Sequence, residues 1–211
     1  MSSSNYYKDL SNESLLGVYL NKVYPKIFEA TKYVIKRIDN LDLQHKGVDL
    51  VLTNKNITYY VDEKAQLDYL NKSLPTFAFE LSYLKNDNLH KGWLYDGHKL
   101  TNIYFLITNI YTKNGKDLSD GIRKVKITGV YRDKLIQVLN DLGLSAPKLS
   151  EIDKKIRLKS EHGKIPIKEL NPKTEGYIYY SKDNKAESPI NLVLKLKFLE
   201  KTKISSVLFN S

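Results

Sequence analysis

Gly47-Val48-Asp49-Leu50-Val51-Leu52-Thr53-Asn54-Lys55-Asn56-Ile57-Thr58-Tyr59-Tyr60-Val61-Asp62-Glu63-Lys64-Ala65-Gln66 is the stretch that decides the fold. Residues 47–53 and 57–66 read as strands, and the polar Asn54-Lys55-Asn56 between them reads as a tight turn, so the segment predicts a β-hairpin. Side chains two apart on a strand share a face, which groups Asp62, Lys64 and Gln66 against Val61, Glu63 and Ala65. Asp49 and Asp62 stand symmetrically about the turn and therefore oppose each other, with Cβ atoms roughly 5 Å apart. Two carboxylates at that separation repel unless a cation lies between them. Mg²⁺ (or Mn²⁺) suits such a pair, because a hard cation takes one or two carboxylates and keeps waters. Lys64, on the same face, would stabilise negative charge developing on a phosphate. A solvated hairpin with a surface Asp49–Lys64 pair is the plainer alternative, and such a pair is worth little. The apolar flanks Leu50-Val51-Leu52 and Tyr59-Tyr60-Val61 argue against it, since charge in so apolar a strand needs a partner.

Upstream, Ser11 opens a helix that should end or kink before Pro25. Pro25 then suits the first turn of a second helix, residues 25–38, with Ile27, Ala30, Val34 and Ile38 as its buried stripe. Downstream, residues 76–83 alternate as a strand, and residues 103–111 are apolar at nearly every position, as in a central strand buried on both faces. Residues 123–128 read as a strand with Lys124 and Lys126 on one face, followed by a helix over 131–142 that stops at Gly143. Residues 145–175, with Pro147, Pro166 and Pro172, read as loop. Residues 190–198 alternate as a strand with Lys195 and Lys197 outward.

The hairpin pattern resembles the PD-(D/E)xK nuclease superfamily, in which an Asp on one strand and a (D/E)-x-K on the next form the core motif. The matching residues are Asp49, Asp62 and Lys64, and Val48 stands where the motif's Pro would be. The resemblance, over roughly residues 25–111, implies a helix, a three-strand meander, a helix and a further strand; no helix is read between 83 and 103. It also implies accessory roles for Glu29, on the first helix, and Gln66, after the (D/E)-x-K. Glu80, on a strand expected beside the hairpin, is a further candidate carboxylate. The fold class expected is α/β with a mixed α+β sheet: a restriction-endonuclease-like core over residues 1–115 with N-terminal helices, and a basic β-rich C-terminal extension over 116–211, packed on the core.

The composition supports a polyanionic partner. The 211 residues carry 34 Lys+Arg against 24 Asp+Glu, a net charge of +10. Residues 1–100 hold 13 basic and 12 acidic side chains, whereas residues 101–211 hold 21 and 12. The 16 Tyr and many Lys also match what AT-rich coding DNA would produce, but that bias would spread Lys over both halves. The chain has no Cys, which excludes disulfides, thiolate catalysis and zinc-finger sites, and leaves an all-oxygen metal site. Its four His show no zinc-type spacing. Trp93 reads more readily as core packing than as a base-stacking platform. No segment reads as membrane-spanning, and a cytoplasmic location is the default.

These readings converge on a Mg²⁺-dependent endonuclease acting on DNA, with RNA as a substrate the same site would also serve. Asp49 and Asp62 would hold the metal, Lys64 would assist, and Lys124, Lys126, Lys195 and Lys197 would contact phosphates. Cleaving both strands would call for a homodimer. The alternative is a non-catalytic nucleic-acid-binding protein that keeps a nuclease-like fold.

Overall fold

The first helix forms because apolar side chains recur at helical spacing: Leu16, Leu20, Val23 and Tyr24 share one stripe, and all four are buried. This helix, α1 (Ser3–Phe28), is followed in the computed structural model by β1 (Val34–Arg37), α2 (Leu41–His45), β2 (Leu50–Asn54), β3 (Ile57–Ala65), β4 (Thr76–Lys85), β5 (Asn88–Lys91), β6 (Ile103–Thr112) and β7 (Ile122–Tyr131). The remaining elements are α3 (Arg132–Asp141), α4 (Ala146–Lys159), β8 (Gly163–Ile165), β9 (Gly176–Tyr180), β10 (Ile190–Lys195), α5 (Leu196–Lys201) and β11 (Ser205–Asn210). The structure describes residues 3–183 and 187–211, with side chains from residue 11 onward.

The chain builds two compact units, a mixed α+β arrangement with one sheet in each. The first unit comprises Met1–Leu74, Leu100–Val130 and Ser205–Ser211, and its sheet runs β1-β2-β3-β6-β7-β11. Strands β1, β2 and β3 form an antiparallel meander, and β3 then pairs parallel with β6. Helix α1 covers one face of this sheet, its stripe packing on Leu50, Leu52, Val61, Phe105, Ile107, Val125 and Ile127. Phe28 stacks on Phe105 at 6.3 Å between ring centroids. Each large side chain buried here contributes roughly 1.5–3 kcal/mol, which is what holds the helix on the sheet. Strand β6 lies at the centre of the sheet, and its first six residues are all buried.

The second unit, Pro75–Lys99 and Tyr131–Ile204, carries the antiparallel sheet β5-β4-β10-β9-β8 with α3, α4 and α5. Its core includes Phe79, Leu135, Leu139, Ile178, Leu192 and Leu194. Trp93 packs against Phe79 at 5.5 Å between ring centroids.

Several expectations need correction. Residues 25–38 are not a second helix. Pro25 lies inside α1, the helix stops at Phe28, and Val34–Arg37 is an edge strand whose Ile35 pairs with Leu52. The three-strand meander is therefore β1-β2-β3, whereas β4 belongs to the other sheet. Residues 146–159, expected as loop, form α4: Pro147 sits in the helix's first turn, where a missing N–H costs nothing. The strand expected over 190–198 ends at Lys195 and turns into α5. The division also does not fall at residue 115, since the chain leaves and re-enters the first unit twice.

Candidate active site

The site is built on the β2–β3 hairpin. Asn54 pairs with Ile57 across the turn, where Lys55 adopts a φ of +43°, and the ladder runs through Leu52↔Tyr59 to Leu50↔Val61. One position beyond, Asp49 donates its N–H to the Val61 carbonyl at 2.8 Å and accepts the Ile38 N–H at 2.8 Å. Asp49 and Asp62 are thus opposed at the mouth of the hairpin. What precedes Asp49 is fixed as well: Gly47 takes a positive φ of 72°, and its carbonyl accepts the buried Thr101 hydroxyl at 2.8 Å. Val48, in the place of the motif's Pro, is fully buried.

Leu50 and Val61 face α1, so Asp49 and Asp62 face the other way. Asp62 is 2% exposed. Its Oδ1 accepts from Lys64 Nζ at 2.5 Å, while Oδ2 is buried without a hydrogen-bond partner among the described residues. A buried carboxylate oxygen without a donor keeps its desolvation cost uncompensated. Half-buried Asp49 accepts the Glu63 backbone N–H on Oδ2 at 2.7 Å. Burial and the Asp62 charge push the Asp49 carboxyl up to about 7, against the opposing pull of the Glu63 N–H and of Lys64. Two oxygen-donor side chains on one face, one with a free buried oxygen, fit a hard divalent cation. Among the described residues no group of three or more His, Asp or Glu is placed to hold a metal ion, so the carboxylates the hairpin brings together number two, Asp49 and Asp62.

Glu63, between the two motif residues, points toward α1 and was not singled out from the sequence. Arg37 grips it in a bidentate pair, NH1 to Oε2 at 2.5 Å and NH2 to Oε1 at 3.3 Å, and the Tyr24 hydroxyl also donates to Oε1. Burial first, then the Glu63 charge, hold the Tyr24 phenol well above its ordinary range. Arg37 Nε in turn donates to Asn21 Oδ1 at 2.6 Å, so α1, β1 and β3 are tied together directly behind the carboxylates. The signal was hidden because Arg37 fell in the segment read as helix.

The other expected residues scatter. Lys124 and Lys126 alternate with Val125 and Ile127, which join the core under α1, so both lysines take the sheet face that bears Asp62 and Lys64. Gln66 follows the end of β3, its N–H bonded to the Ile107 carbonyl at 3.0 Å. Glu29 lies one residue beyond α1 and is exposed. Glu80 is on β4, in the other unit's sheet, so the strand adjacency that made it a candidate does not exist. Lys195 and Lys197 are also in the second unit, at the end of β10 and in α5. No helix among the described residues is long and apolar enough to cross a membrane. Comparison with protein families, with curated proteins and with solved structures finds no match to this chain.

Proposed function

We propose that the protein is a Mg²⁺-dependent deoxyribonuclease that hydrolyses phosphodiester bonds at the Asp49–Asp62–Lys64 site. The observation that carries this reading is the buried, unpartnered Asp62 Oδ2 beside a second carboxylate and a lysine. The surrounding architecture supports it: a helix over an antiparallel three-strand meander, whose third strand pairs parallel with a fourth, is close to what the restriction-endonuclease-like resemblance implies. The parallel pairing of β3 and β6 is reached here through residues of the second unit instead of through a crossover helix.

Asp49 and Asp62 would hold the metal, which when bound neutralises phosphate charge and makes water a better nucleophile. The rest falls to the chain's own groups. The Glu63 N–H fixes the orientation of Asp49, and the Arg37–Tyr24 grip on Glu63 fixes β3. Lys64 supplies a positive charge against the oxygens of the scissile phosphate. Its bond to Asp62 holds the ammonium at the carboxylates until a substrate competes for it.

The test is cleavage of plasmid and linear DNA by purified protein with Mg²⁺. Asp62→Asn and Lys64→Ala should each abolish cutting while DNA binding persists, and cutting retained in either variant would sink the assignment. A second reading, a non-catalytic nucleic-acid-binding protein, is favoured by the Lys64–Asp62 ion pair, which part-satisfies the carboxylate without a cation. Calorimetric titration with Mn²⁺ separates the two: heat that disappears in Asp49→Asn supports the enzyme, and no heat supports the second reading.

A further inference from the structure

The second unit contains a cleft of about 780 Å³ lined by Lys173, Lys195, Lys197 and Lys201. Its position follows from local structure. Lys195 ends β10, its N–H bonded to the Glu175 carbonyl at 2.7 Å, and the chain then turns directly into α5. Lys197 and Lys201 are four residues apart on α5 and so lie one above the other on one face of the helix. Lys173 sits in the turn that leads into β9.

The charges of the cleft are unbalanced. Two carboxylates also line it, but both are engaged with neutral donors: Asp141 accepts from Gln137 Nε2 at 2.8 Å and Glu175 from the Asn171 N–H at 2.8 Å. Among the described residues none of the four lysines enters an ion pair. Elsewhere in the same unit exposed lysines do find carboxylates, as Lys148 and Lys155 do with Glu151. Like charges stacked at i and i+4 on so short a helix repel each other, a cost that an anion in the cleft would relieve. Four cations distributed over a recess of this volume match a chain of phosphates better than one phosphate. The one aromatic side chain in the lining, Phe198, is 7% exposed and belongs to the core, so its ring is too covered to serve as a stacking platform for a base.

We infer that this cleft binds the phosphodiester backbone of a nucleic-acid strand, without reading its sequence. The inference deepens the proposed function, from which the nature of the polyanion is taken, but the site is separate from Asp49 and Asp62 in the chain's organisation.

The experiment measures affinity for a fluorescent single-stranded DNA oligonucleotide by anisotropy, in EDTA and in an Asp62→Asn background, across a series of salt concentrations. Substituting Lys173, Lys195, Lys197 and Lys201 together with Ala should lower the slope of log K against log salt by about 3, at about 0.7 per contact on a single strand. A matched set that changes the exposed Lys154, Lys159, Lys168 and Lys182 to Ala removes the same formal charge outside the cleft, and should leave the slope unchanged. The corresponding Lys→Arg set in the cleft should retain binding, which guards against a folding defect in the Ala set; circular dichroism checks the same point. An equal loss in both Ala sets, no loss in the cleft set, or binding only to phosphatidylserine vesicles would each overturn the inference. Because the assay needs no turnover, a cleft that binds while no DNA is cut leaves this inference standing and removes the nuclease reading. Cutting that survives loss of the cleft lysines with an unchanged salt slope does the reverse.

Discussion

Among the described residues each unit of this protein buries one aspartate, and the two are treated in opposite ways. In the second unit Asp153, on α4, is 4% exposed and fully satisfied. Its Oδ1 accepts from Arg157 Nε at 3.0 Å and its Oδ2 from the Ser82 hydroxyl. Arg157 itself reaches Ser82 Oγ at 2.5 Å and the Ser188 carbonyl at 3.1 Å, and lies over the Tyr180 ring. Each carboxylate oxygen thus has a partner, and the network fastens α4 to the sheet. In the first unit Asp62 is buried as deeply but keeps one oxygen without a partner, and Asp49 opposite adds to its charge. Burial of a carboxylate therefore does not by itself single out a candidate site; what sets Asp62 apart from Asp153 is an oxygen left without a partner beside a second carboxylate and a lysine.

The largest effect that separates the two should be on stability. Asp153→Ala strands the Arg157 guanidinium and should cost about 3–5 kcal/mol, the usual price of breaking a buried pair. Asp62→Asn should cost under about 1.5 kcal/mol in metal-free protein, because it removes a charge that is only half compensated. Urea unfolding of both variants decides, and a smaller loss for Asp153→Ala than for Asp62→Asn would end the comparison.

Next comes the pH response of the metal-free protein. The folded Asp49 carboxyl titrates near 7, above its ordinary 3.8, so the stability tied to its protonated form is full below about pH 4 and lost as pH rises through about 7. In EDTA, Asp49→Asn should accordingly melt higher than wild type at pH 8 and show no such advantage at pH 4. Differential scanning fluorimetry at the two pH values checks the sign, and a variant less stable than wild type at pH 8 contradicts it. Mg²⁺ added at pH 8 should raise the wild-type melting temperature, by about 2.7 kcal/mol of stabilisation at 100 times its Kd, and leave Asp49→Asn unmoved. The same Mg²⁺ should do nothing for stability through Asp153.

The smallest expected effect is that of Tyr24→Phe, which removes one of the donors on Glu63 while Arg37 keeps its grip. A loss of about 0.5–1 kcal/mol in unfolding free energy is expected, because Arg37 keeps the Glu63 oxygens satisfied. If β3 is positioned from behind as described, the slope of cleavage rate against Mg²⁺ concentration should shift as well, which a purely stabilising bond would not cause.

Parts of this arrangement were legible in the sequence and parts were not. The hairpin was, because its turn and its period-two alternation are local and leave one register that opposes Asp49 and Asp62. Strand β7 and helix α3 were legible on the same grounds, with Gly143 at φ +79° where the helix was expected to stop. Strand β1 was not: Ile27, Ala30, Val34 and Ile38 mimic a helical stripe, and only pairing with β2 makes residues 34–37 extended. Helix α4 was missed because Pro147 looks like a breaker until its place in the first turn is known. The charge division also changed meaning. Across the halves of the sequence it is nearly all on one side, but the first unit holds 15 basic against 11 acidic residues and the second 19 against 13. A chain that crosses between units spreads charges that are contiguous in sequence.

Local sequence was enough to place a carboxylate pair and a lysine on one face of a hairpin, since a turn and a two-residue period involve only neighbouring positions. Which buried aspartate is closed off and which is left open was decided in three dimensions. The Ser82 hydroxyl that completes Asp153 comes from 71 positions away, and the Arg37 that secures Glu63 from 26. Such partners are chosen by packing, and no local pattern encodes them.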